Sequence, residues 1–119
     1  MIDHLTLTVK NGKKSVAFYK AALKPLGYGL QMKWEKLWGF GENKKPVLWI
    51  KEAKPVTTPQ HIAFYARDRK QVDGFYKAAI KAGGKDNGKP GLRAEYHPSY
   101  YGAFVIEPDG HPFEAVCHR

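Results

Sequence analysis

The sequence predicts an α+β fold made of two βαβββ modules in one domain over residues 1–119, the modules spanning about 1–53 and 60–119. Three observations carry that prediction. The segment HLTLTVKNGKKSVAFYKAALKPLG from His4 returns as HIAFYARDRKQVDGFYKAAIKAGG from His61, and the offset of 57 holds through Phe18/Phe75, Tyr19/Tyr76, Ala22/Ala79 and Gly27/Gly84. Each copy opens on alternating polar and apolar residues, the period of a half-buried strand. Each then continues with apolar residues at spacings of three and four, the period of an amphipathic helix.

In the first strand Leu5, Leu7 and Val9 share the core face, and His4, Thr6 and Thr8 share the other. In the second copy Ile62 and Phe64 alternate with His61, Ala63 and Tyr65 in the same sense. Val16, Phe18, Tyr19 and Leu23 stripe the first helix, which Pro25 and Gly27 end; Val72, Phe75, Tyr76, Ala79 and Ile80 stripe the second, which Gly83 and Gly84 end. Three short strands follow each helix, near 29–34, 37–41 and 46–51, then near 85–87, 102–106 and 113–118. The turn Glu107-Pro-Asp-Gly-His111 closes a tight hairpin and places His111 at an exposed tip. Ala53 to Gln60, with Pro55 and Pro59, links the copies.

Composition excludes several classes. A chain of 119 residues with 43% hydrophobic and 26% charged residues can bury a core and is not a disordered segment. One cysteine, Cys117, allows no intrachain disulfide and no cysteine-based zinc cluster, and its parity on the last strand makes it a packed thiol. No signal-like or membrane-spanning apolar run occurs, so a cytoplasmic protein with no membrane partner is expected. The net charge of +9 comes mostly from scattered lysines, which form either a solvated surface or a field attracting a small anionic substrate. No arginine-rich segment, helix-turn-helix or RNP-like strand supports nucleic-acid binding.

His4 and His61 hold equivalent places in the two copies, and Glu114 lies on the last strand with Val116 and His118, opposite Phe113, Ala115 and Cys117. Two imidazoles and a carboxylate drawn together by a repeat would make a three-ligand site for a divalent ion with open positions for substrate. A histidine at a strand start is equally at home solvated and hydrogen-bonded. Near the last hairpin, the stretch from Arg93 through Tyr96, His97 and Tyr101 gathers a guanidinium, an imidazole and phenols. These groups either border that site and bind substrate or pack as a loop. Trp34, Trp38 and Trp49 either pack on the first module's strands or wall a planar ligand. The edge strands of two open modules need covering, which predicts a homodimer, with cavities closed within a chain or shared.

The runs DHLTLTV with FYKAAL, QHIAFYA with FYKAAIKAGG, and YYGAFVIEPDGHPFEAV resemble the glyoxalase/bleomycin resistance/dioxygenase family, the vicinal oxygen chelate superfamily, over nearly the whole chain. The resemblance implies sheets curled into a cupped cavity and a metal-dependent enzyme acting on a small oxygen-chelating substrate. It implies His4, His61 and Glu114 as ligands of a divalent ion, Fe, Mn, Zn or Ni, with Glu114 also catalytic. Leu48 stands where glyoxalase I-like members place a carboxylate, which argues against that reaction and leaves a set similar to extradiol dioxygenases and fosfomycin-modifying thiol transferases. The alternative the family offers is a metal-free protein that sequesters a small molecule, as bleomycin-resistance relatives do.

Overall fold

The computed structural model describes residues 1–57 and 59–119. In chain order it contains β1 (Leu5–Val9), α1 (Gly12–Leu23), a 3-10 turn (Lys24–Leu26), β2 (Gly29–Trp34), β3 (Leu37–Glu42) and β4 (Lys45–Glu52). The second module contains β5 (Ile62–Tyr65), α2 (Arg69–Lys81), β6 (Lys85–Leu92), β7 (Tyr101–Ile106) and β8 (Pro112–Cys117). The repeat is thus a structural repeat, βαβββ twice. Each module forms its own four-stranded sheet, in the orders β1-β4-β3-β2 and β5-β8-β7-β6. In both, the opening strand runs parallel to the closing strand, and the helix between them makes the crossover that parallel pairing requires.

The helices begin where local chemistry starts them. Asn11 accepts from Lys14 N, and Asp68 accepts from Gln71 N, each capping a donor that the first turn leaves free. Gly27 ends the first helical segment in the left-handed conformation, at φ 88°, with its N–H on the Lys24 carbonyl. The helices press their stripes on a single core: Phe18, Tyr19 and Leu23 from α1 join Val72, Phe75 and Ala79 from α2, with Phe40, Ile50, Val105 and Phe113 from the sheets. Tyr19 and Phe113 have ring centroids 5.2 Å apart, and Tyr28 and Phe64 6.0 Å, so aromatic contacts join the two modules directly.

The segment after β4 covers the free edge of β1. Thr57 N donates to the Thr8 carbonyl and Thr8 N to Thr57 Oγ1 at 2.7 Å, whereas Ala53 N on the Val9 carbonyl continues the β1–β4 ladder on the paired side. The linker therefore covers part of this edge within the chain. β6 runs past residues 85–87 as far as Leu92, and two register shifts against β7, around Gly88, let a Gly- and Pro-containing segment remain in the sheet.

His111 departs from the sequence expectation. It is fully buried at the hairpin, where Glu107 N pairs with its carbonyl and Glu107 Oε1 accepts from the N–H groups of Asp109 and His111. Glu107 is itself buried and accepts from Tyr19 Oη at 2.7 Å through its other oxygen. The turn is drawn inward onto α1 by that carboxylate, and His111 goes with it.

Candidate functional site

Strand pairing fixes which side chains share the outward face of each sheet, away from the helices. On the second sheet Glu114 pairs with Phe104 and Ala63, and Phe104 with Gly88, so these residues lie in one row across the sheet. His61 precedes β5 and reaches into this row: its Nε2 donates to Glu114 Oε1 at 2.6 Å. The Glu114 side chain is only 5% exposed, whereas that of His61 is 51% exposed, so the pair joins a buried carboxylate to an accessible ring. Glu114 Oε2 accepts from Tyr100 Oη, also at 2.6 Å. Burial first, and then the hydrogen bond to Glu114, push the Tyr100 phenol above its ordinary range.

Around this group stand the other residues of the tyrosine-rich loop. Arg93 lies over the Phe104 ring, 5.2 Å from its centroid, and donates from Nη2 to the Lys89 carbonyl at 2.7 Å. Tyr96 is well exposed and meets Tyr100 edge-on at 5.1 Å. His97 accepts from Ser99 N and faces His118 at 5.7 Å, and His118 in turn meets Tyr100 at 5.4 Å. Tyr101 takes the other side of its strand: its hydroxyl donates to Asp73 at 2.7 Å and its ring lies under Arg69 of α2.

His4 is held elsewhere. Its Nδ1 donates to Asp3 at 2.7 Å, and that bond, more than Lys45 Nζ at 3.9 Å, holds the Asp3 carboxyl below its usual range. Among the described residues, no three His, Cys, Asp or Glu side chains gather at one point. Leu5, the neighbour of His4, and His61 nonetheless line the same cleft of about 300 Å³, with Ile2, Thr57 and Ile62. His4 shares strand parity with Thr6, which pairs with Trp49, so its register belongs to the outward face of the first sheet. Trp49 lies there over Gly39, where a Cβ would come within 2.7 Å of the indole, and Trp34 meets it at a tilt with ring centroids 5.7 Å apart. Trp38 is instead buried on the helix side.

His61 and Glu114 fit a divalent ion in donor type, an imidazole nitrogen and a carboxylate oxygen meeting at one point. Tyr100 is the residue that sequence reasoning passed over. Alternation along β7 carries the signal, since Gly102 and Phe104 share the face of Glu114 and the same parity extends back to position 100.

The family description "Glyoxalase/Bleomycin resistance protein/Dioxygenase superfamily" matches residues 1–115. The chain belongs to that superfamily. It is 31% identical over 117 residues to the metallothiol transferase FosB of Shouchella clausii, covering 95% of this chain and 77% of that one. Among solved structures, a glyoxalase/bleomycin resistance protein from Albidiferax ferrireducens superposes with a TM-score of 0.84 at 25% identity, over 98% of this chain and 97% of the other. A glyoxalase/bleomycin resistance protein/dioxygenase family enzyme from Burkholderia phytofirmans gives 0.76 at 14% identity, over 99% and 98%, and shows likeness of fold. No helix among the described residues is long and apolar enough to cross a membrane.

Proposed function

We propose that this chain is a divalent-metal-dependent enzyme of the vicinal oxygen chelate type, acting in the cytoplasm as a homodimer on a small anionic, oxygen-bearing substrate. A group transfer is the reaction class that its metallothiol transferase relative favours. The observation that carries the reading is the contact of His61 Nε2 with Glu114 Oε1 on an open sheet face, next to a donor phenol and a guanidinium. His61 and Glu114 would hold the ion, with His4 as third ligand from this chain or its partner. When bound, such an ion polarises a substrate oxygen and stabilises negative charge developing on it.

This chain's own residues supply the rest. Glu114, nearly out of water, contributes one negative charge to a site otherwise lined by neutral or positive groups, and the chain as a whole carries +9, which favours an anionic partner. Arg93, resting on Phe104, keeps a guanidinium near the row and suits a carboxylate or phosphonate oxygen. Tyr96 and His97 border the same side and offer a phenol and an imidazole for orienting the substrate. Phe104 gives that row an apolar floor.

The second reading is a metal-free binding protein. One observation favours it: both Glu114 oxygens already have hydrogen-bond partners within the chain. Metal analysis of protein purified without chelator separates the two. The enzyme reading expects about one divalent ion per chain, with His61→Ala and Glu114→Gln each reducing occupancy by roughly tenfold or more. Ligand binding that persists unchanged in both variants and in stripped protein would establish the binding protein instead.

A further inference from the structure

We propose that Tyr100 is the positioning residue of this site: by holding Glu114 Oε2 it makes the carboxylate present a single oxygen, Oε1, beside His61 Nε2. The inference rests on the metal reading above and deepens it. A free carboxylate can offer both oxygens to a cation and can rotate between them. Here one oxygen is taken by a phenol at 2.6 Å, inside a side chain that is 5% exposed, and the other is left facing the imidazole.

Tyr100 is built to stay where it is. Its N–H donates to the His97 carbonyl at 3.0 Å, and its own carbonyl accepts from Arg93 N at 2.7 Å, so the backbone is tied on both sides. The ring is seated by three neighbours. Tyr96 and His118 meet it edge-on, and Gly102 leaves room beneath it, since a Cβ there would stand 3.1 Å from Tyr100 Cε1. Any side chain at position 102 would press on the ring that orients the carboxylate. The tyrosine acts through Glu114, and nothing in the geometry requires it to touch substrate.

The test is cobalt binding to the intact protein, read as affinity by competition with a chelator and as the visible spectrum of the bound ion. Tyr100→Phe keeps the ring and removes the hydroxyl, and it is expected to weaken cobalt binding roughly ten- to hundredfold, as loss of an outer-shell partner does. It should also shift the visible bands, because Glu114 regains a second oxygen for the ion. Gly102→Ala should move both readouts in the same direction by less. Tyr76→Phe, which loses a phenol bonded to Asp86 on another part of the module, should leave both unchanged. Affinity for Tyr100→Phe within about twofold of the parent, with a superimposable spectrum, overturns the inference while the metal reading stands. Should Tyr100→Phe fail to fold, an unchanged Gly102→Ala overturns it equally. A parent protein that binds no cobalt removes the metal reading, and this inference with it.

Discussion

At the scale of single residues, a buried phenol and carboxylate outside the candidate site tie α1 to the last hairpin. Tyr19 is fully buried on α1 and donates to Glu107, a carboxylate 98% removed from solvent with no cationic partner within ion-pair distance among the described residues. Glu107 is satisfied by two backbone N–H groups and that phenol. Tyr19→Phe is therefore expected to destabilise the fold by about 1 to 3 kcal/mol, the cost of leaving one side of a buried charged acceptor open, as measured by urea unfolding at pH 7. The same phenol makes stability depend on pH. Burial, reinforced by Glu107, raises the Tyr19 phenol well above its unfolded value, so the folded chain keeps a proton that the unfolded chain releases. Its contribution is intact below about pH 10 and is lost as pH rises beyond that value. The parent should lose stability faster between about pH 9.5 and 11 than Tyr19→Phe does, and parallel curves would show that the phenol is not linked to folding.

At the scale of elements, alternation and helical period made the helices and opening strands legible, because each has one face on a core and one off it. Leu7, Val9 and Phe64 are buried as their parity requires and Cys117 is a packed thiol, whereas Leu5, at the start of β1 beyond the cover of the helices, is exposed despite its parity. Pattern gave out where a second interaction decided the outcome. β8 is buried on both faces, so alternation along Phe113 to Cys117 marks which sheet face a residue takes without marking exposure. β6 persists through Gly88 and Pro90 because register shifts absorb residues that end most strands. His111 reads as an exposed tip only while Glu107 is taken for a surface residue. Strand parity puts His61 on the face of Glu114 and His4 on the outward face of the first sheet, but it carries no sign of the hydrogen bond His4 makes to its sequence neighbour Asp3. The register shift at the β3–β4 hairpin yields a prediction of its own. A Cβ at Gly41 would collide with the Lys45 carbonyl oxygen, a backbone atom that cannot rotate away. Gly41→Ala should cost about 1 to 3 kcal/mol of stability, whereas Gly27→Asn, in a left-handed position with open space around it, should cost under about 1. Equal losses at the two sites would refute the steric account.

At the scale of the whole molecule, one core joins both modules while the outward faces of their sheets carry the residues of the candidate site. The first sheet carries the register of His4 with Trp49 and Trp34, and the second carries His61, Glu114 and Tyr100. If a homodimer closes the site by facing the first sheet of one protomer with the second sheet of its partner, His4 and Glu114 of a single chain serve different sites. That arrangement predicts complementation. His4→Ala and Glu114→Gln each damage both sites of their own dimer. Unfolded together in equal amounts and refolded, they should form mixed dimers in which one site receives both lesions and the other receives none. With random pairing, half of all dimers are mixed and half of the sites in them are intact, so metal binding should return to about a quarter of the parent's capacity. A site closed within one chain gives no such recovery, because every chain then carries a lesion in its own site. Metal bound per chain in the refolded mixture, compared with each variant refolded alone, reads the difference directly, and a mixture no better than its components would place His4 with the Glu114 of its own chain or with neither.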